Sequence, residues 1–167
     1  ELNFAPLTSA TAAGLLSPLL SQVNMVSAPA LAKERGITVS EVRRASSGAF
    51  DSYIRLSIKT ERQQRSVAGT VFSDGKPRII QVKGINMEAE LAPRVLYVTN
   101  LDQPGFIGAL GSVLGEHGIN IASFNLGREK PGGDAISLVS IDNEASDAVL
   151  EEIMALEQVM QVKQLQF

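Results

Sequence analysis

Apolar and polar positions keep two rhythms along this chain. From Tyr53 to Thr60 they alternate, with Ile54, Leu56 and Ile58 on one side and Tyr53, Arg55, Ser57 and Lys59 on the other. That period of two predicts a half-buried strand. Arg65–Phe72 predicts a second strand, Ser73-Asp74-Gly75-Lys76 a hairpin turn, and Arg78–Lys83 a third strand through Ile80 and Val82. Gly84 then turns the chain into an extended Ile85–Leu91.

Upstream the rhythm is helical. Leu15, Leu16, Leu19 and Leu20 form an apolar stripe over Ala10–Leu20, capped by Thr8 or Ser9 and kinked or shortened by Pro18. Ser27-Ala28-Pro29 reads as a cap with proline in the first turn of a helix that ends at Gly36. Glu1–Ala5 reads as extended, and so does Ile37–Arg44, with Ile37, Val39 and Val42 inward. Two helices followed by antiparallel strands predict an α+β domain over residues 1–92.

From Pro93 the order changes. Strand Arg94–Asn100, helix Gly105–His117, strand Asn120–Arg128, the turn Pro131-Gly132-Gly133 and strand Asp134–Ile141 follow one another. A helix through Leu156, capped by Ser146 or Asp147, has Val149, Leu150 and Ile153 inward and leads to the last strand, Val159–Phe167. This β-α-β-β-α-β order over residues 93–167 is that of ferredoxin-like folds. Its sheet has one open face, which predicts pairing with another copy unless something covers it.

Charge supports the boundary near Leu91–Pro93. Through Ala92 there are 11 Lys and Arg against 8 Asp and Glu, a net +3; from Pro93 there are 4 against 10, a net −6. The basic half offers an anion a partner or is simply a solvated surface, and its few aromatics argue against nucleic acid. No apolar run reaches the ~20 residues of a membrane-spanning helix. The absence of cysteine rules out disulfides and thiolate metal sites and fits a cytoplasmic setting, organelles included. A first residue of Glu1 leads us to expect a piece of a longer protein.

Catalysis finds no residues here. His117 is the only histidine and closes a helix; no serine has a His–Asp partner, and Glu151 and Glu152 read as solvated. No second histidine and no cysteine stands near His117, so no metal is expected. Gly105, Gly108, Gly111 and Gly115 fall on one helix face at spacings that do not match a dinucleotide fingerprint. Each interior glycine costs about 1 kcal/mol relative to alanine, so close approach to a sheet, a ligand or a partner is expected to offset it. The stretch around Asp102 is more informative. A helix N-terminus opens directly after it, where unpartnered N–H groups suit a carboxylate, while Asp102 suits an ammonium. Asn100 and Asp102 share a strand face, and Asn120 is expected at the same edge. The alternative is that Asp102 caps the helix and Asn120 completes a turn.

The stretch LYVTNLDQPGFIGALGSVLGEHGINIASFNLGRE resembles the ACT domain, the amino-acid-sensing module of metabolic enzymes. Upstream, VNMVSAPALAKERGI and the strands to GINMEAEL resemble the intervening, or allosteric substrate-binding, domain of long-form D-3-phosphoglycerate dehydrogenases. The resemblance implies the regulatory part of an enzyme that oxidises 3-phosphoglycerate with NAD, the first dedicated step of L-serine biosynthesis. Its NAD-binding catalytic domains would precede Glu1, and no cofactor is expected in this part. It implies self-association through ACT domains, with L-serine at their interface for feedback inhibition. The matching positions are Asn100, Asp102, Gln103, Pro104, Gly105, Phe106, Ile107, Asn120 and Ile121. Asn100 stands where other members have His or Tyr. Arg78 matches a basic position of an anion site, and Lys33 and Arg35 fit the pattern. Asn86 and Glu90 replace His and Arg there, which weakens that site. Other implied roles are an assembly module that binds no ligand, or the regulatory part of an iron–sulfur L-serine dehydratase.

Overall fold

The computed structural model describes residues 5–42, 50 and 52–167. The chain forms two compact units, Glu1–Ala49 and Phe50–Phe167.

In the first unit, α1 (Ala5–Leu16) and α2 (Ala28–Glu34) pack through Ala12, Leu16, Ala28 and Ala32, with Leu20, Val23, Leu31 and Ile37 around them. Alanines at the contact let two short helices approach closely. Helix α1 starts earlier than the leucine stripe predicts, so Thr8 and Ser9 lie inside it rather than capping it. It stops at Leu16, two residues before Pro18, whose ring excludes a helical continuation. Leu15 and Leu19 are therefore exposed, and only Leu16 and Leu20 of the stripe turn inward. Before α2, Asn24 Oδ1 accepts from the N–H groups of Val26 and Ser27; the Ser27 side chain makes no cap bond. Gly36, at φ +71°, closes the helix as predicted. Ile37–Val42 forms no strand, and Val39 and Val42 are exposed rather than inward. The extended readings of residues 1–4 and 43–44 lie outside the described residues.

The second unit holds two four-stranded antiparallel sheets. The first is a meander of β1 (Ile54–Lys59), β2 (Gln64–Val71), β3 (Pro77–Val82) and β4 (Ile85–Glu90). The second contains β5 (Arg94–Leu101), α3 (Phe106–Glu116), β6 (Ile121–Arg128), β7 (Asp134–Ile141), α4 (Asp147–Met154) and β8 (Val159–Gln166). Its strand order, β6-β7-β5-β8, is the ferredoxin-like arrangement that the element order predicts. One face packs on α3 and α4 through Leu96, Val98, Phe106, Leu110, Leu114, Val139 and Ile153. Ser146 caps α4 by accepting from Val149 N.

The other face of this sheet is covered from within the chain. Ala89, Met87, Ile79 and Val82 of the meander meet Val95, Tyr97, Leu138 and Leu165. Every residue of β7 from Ala135 to Ile141 is consequently buried. The closest approach is at Gly127 of β6: a Cβ there would lie 2.5 Å from Asn86 O and 2.8 Å from an Ile85 methyl. The open face therefore needs no second copy, but strands β6 and β8 keep free edges within the sheet.

Coverage stops short of β1. Ile54, Leu56 and Ile58, predicted to be half-buried, are 48%, 37% and 44% exposed. The meander meets the second sheet through β4, which lies on β6 and β7, while β1 is the far edge strand. Alternation reported the apolar face correctly, but could not say how far the covering layer extends.

Candidate functional site

The site predicted around Asp102 lies at the end of β5, where the chain leaves the sheet for α3. Asp102 does not cap that helix. The N-cap is Gly105, held at φ +93° where a side chain would be strained, and α3 has no side-chain cap. Phe106 N reaches Gln103 O only at 3.5 Å, and Ala109 N bonds Gly105 O, so the N–H groups of Ile107 and Gly108 have no acceptor among the described residues. They sit at the positive end of the helix dipole.

Asp102 instead faces the β6–β7 hairpin. Its Oδ2 accepts from Arg128 Nη1 at 2.7 Å and from Gly132 N at 3.1 Å, while Asp102 N donates to Gly133 O at 2.9 Å. The Arg128 guanidinium, followed by the Gly132 N–H, holds this carboxyl below its ordinary range, so it is ionised at neutral pH. The local sequence does not mark Arg128 or Gly132 for this role. The only available signal was the turn Pro131-Gly132-Gly133, since the contact spans 26 residues.

Asn100 is fully buried. Its Oδ1 accepts from Ser137 Oγ at 3.3 Å and its Nδ2 donates to Leu101 O at 2.9 Å, so within one chain it supports the strand end from below. Gln103, Pro104, Gly105 and Ile107 are exposed, Ile107 by 56%, while Phe106 is buried in the core against Phe124.

Asn120 is not at the same edge as Asp102, contrary to the expectation from sequence. Ile121 pairs with Ile141 and Val95 with Ser140 at one end; Leu101 pairs with Asp134 and Arg128 with Ala135 at the other. The β5-α3-β6 crossover makes the two strands parallel, so β6 begins beside the start of β5, not its end. There the Asn120 amide donates to Asp142 Oδ2 at 2.7 Å.

The glycines of α3 gain no close neighbour from the fold. A Cβ at Gly108, Gly111 or Gly115 would meet nothing within 4 Å, and this face is turned away from Leu110 and Val113. Packing on the sheet therefore does not offset their cost. His117 Nε2 lies 2.7 Å from Glu152 Oε2, so Glu152, exposed as expected, also links α4 to the end of α3.

The anion-site candidates are divided. Lys33 and Arg35 belong to the α1–α2 unit and Arg78 to the other. Arg78 is already surrounded: Asp74 bonds it at 2.6 and 3.1 Å, Glu90 at 3.0 Å and Glu88 at 3.6 Å, with the Phe72 ring centroid 4.4 Å away. The Arg78 bond, with that from Lys76 N, lowers Asp74 to about 2. Three carboxylates around one guanidinium repel a further anion, so Arg78 is a structural centre in this chain.

Among the described residues no group of three or more His, Cys, Asp or Glu could hold a metal ion. Nor, among the described residues, is any helix long and apolar enough to cross a membrane.

Comparison with known proteins bears on both sheets. Residues 1–83 match the D-3-phosphoglycerate dehydrogenase intervening domain, and residues 94–158 match the ACT domain. A D-3-phosphoglycerate dehydrogenase of Bacillus subtilis is 33% identical over 164 residues, covering 98% of this chain and 31% of that protein. One of Synechocystis is 38% identical over 152 residues, covering 90% of this chain and 27% of that protein. One of Methanocaldococcus jannaschii is 33% identical over 150 residues, covering 89% and 28%. The chain thus spans about a third or less of the length of these relatives. With its intervening-domain and ACT matches in that order, the chain belongs to the D-3-phosphoglycerate dehydrogenase family, as the ACT-containing regulatory part of such an enzyme.

Proposed function

We propose that this chain binds a small amino acid, L-serine in the first instance, where two ACT domains pair, and so inhibits the enzyme of which it is part. That enzyme would oxidise 3-phosphoglycerate with NAD in catalytic domains outside this chain, in the cytoplasm or an organelle. The domain boundary at residues 92–93 belongs to the same proposal. The match to the intervening domain favours a dehydrogenase over an iron–sulfur serine dehydratase as the parent.

The observation that carries this reading is the open end of the ACT sheet. An ionised Asp102 stands there four residues before a helix whose first N–H groups are uncapped. Opposite charges at that spacing suit a zwitterion and no simple anion. The free edge of β6 supplies the rest. A two-fold axis beside that edge pairs β6 antiparallel with β6 of a second copy. The start of the second strand then lies beside the end of the first, and Asn120 and Ile121 of the second copy come to the Asp102–Arg128 end. This accounts for a site whose parts lie at opposite ends of one sheet. Ligand bridging two copies shifts the catalytic part only as far as the paired state binds it more tightly.

A second reading, assembly without a ligand, is supported by Asn100, whose buried and satisfied amide is withdrawn from the polar ring. Calorimetric titration of the chain with L-serine, with glycine and D-serine as controls, separates the two. Saturable, stereoselective binding is expected. A flat trace from a folded, paired chain would leave assembly alone.

A further inference from the structure

Building on the amino-acid site just described, we propose that Arg128 is one of its specificity-determining residues, holding the carboxylate of the ligand while Asp102 holds the ammonium. The pair is only half used on each side. Both bonds to Asp102 fall on Oδ2, and Oδ1 accepts none among the described residues. A guanidinium carries five N–H donors, and Arg128 has Asp102 as its one partner among the described residues. Its side chain is 52% exposed.

An α-amino acid carries its ammonium and carboxylate on the same carbon. Its receptor needs opposite charges equally close, and Arg128 and Asp102 are 2.7 Å apart. An incoming ammonium can take Oδ1 and an incoming carboxylate the unused edge of the guanidinium. The existing bond stays in place, so neither protein charge has to be stripped of its partner. The planar fork of arginine also suits a carboxylate in a way that a point charge does not. Gly132 N and the backbone bond from Asp102 N to Gly133 O hold the carboxylate still, so only the Arg128 side chain need adjust. Arg128 ends β6, the strand at the proposed contact between copies, so carboxylate recognition and pairing would draw on the same strand.

The opposing idea is that Arg128 merely plugs Asp102 and must leave before a ligand enters. The two ideas predict opposite signs. Titrate the wild-type chain, Arg128→Gln and Arg128→Lys with L-serine and glycine and with their amides, which keep the ammonium but lose the carboxylate charge. Loss of a charge-assisted hydrogen bond predicts that Arg128→Gln weakens the free amino acids by about tenfold to hundredfold. The amides should be unmoved, and Arg128→Lys should recover part of the loss. Equal weakening of acids and amides would make Arg128 merely structural, and tighter binding in Arg128→Gln would make it a plug; either overturns the proposal. Wild-type binding that Arg128→Gln leaves unchanged overturns it too, while keeping the amino-acid site. No binding of either amino acid to the folded wild-type chain would remove the site itself, and this role with it.

Discussion

Two arginine–carboxylate clusters, one centred on Arg78 of β3 and the other on Arg128 at the end of β6, differ in how fully they are used. Arg78 has three carboxylates and an aromatic ring around it, and its side chain is 12% exposed. Among the described residues Arg128 has one carboxylate, is 52% exposed, and faces a carboxylate with an idle oxygen. A saturated cluster holds strands together but offers a ligand nothing without breaking bonds already made. An unsaturated one contributes little to the fold and keeps donors and acceptors in reserve. Arg78, basic and nearly buried, has its donors engaged by Asp74, Glu88 and Glu90, whereas Arg128 keeps donors to spare.

The largest expected effect comes from breaking the joint between the clusters. Gly127→Ala places a methyl against Asn86 backbone and Ile85, where no flexible side-chain end alone can yield. Overpacking of this kind predicts a loss of about 1–3 kcal/mol in denaturant unfolding. It should also loosen β4 from β6 and so disturb both clusters together.

Next comes Arg78→Met, which leaves Asp74, Glu88 and Glu90 facing one another. We expect a lower melting temperature and an Asp74 titration, followed by NMR, that rises from about 2 towards its ordinary 3.8. The sign follows from linkage: a carboxyl depressed in the folded state stabilises it above the unfolded value. In the wild type that contribution is lost as pH falls from about 4 to about 2, and Arg78→Met should flatten the dependence. An unchanged titration would remove Arg78 as the cause. Asp102, lowered by Arg128 and Gly132, has the same sign, so its contribution to stability and to ammonium binding should fade on acidification.

The smallest effect sharpens the contrast. Arg128→Gln, tested without ligand, should leave the melting temperature nearly unchanged, because an exposed ion pair contributes little. A drop as large as that of Arg78→Met would show that the two clusters are alike in function.

Much of this fold was legible from the chain's periodicity. The β-α-β-β-α-β order follows from alternation broken by two amphipathic helices, and strand Asp134–Ile141 was placed to the residue. Gly36, Gly75 and Gly84 mark turns by positive φ. The first unit is less legible, because its leucine stripe outlasts the helix and because two short helices bury little. At the site, Asp102 was legible as a charge before a helix start, but its partner was not. Arg128 is far away in sequence and is brought close by strand pairing.

The sequence alone determined the elements, their order and the chemistry at the β5–α3 junction, because these rest on local periodicity, turn residues and charge. Tertiary structure decided which surfaces are covered and which charges are spent. Packing of β4 on β6 buried the face of the ACT sheet and left β1 bare. Parallel β5 and β6 sent Asn120 to the opposite end from Asp102. Whether an arginine is a fastening or a receptor depends on how many carboxylates reach it, and residues far apart in the chain set that number.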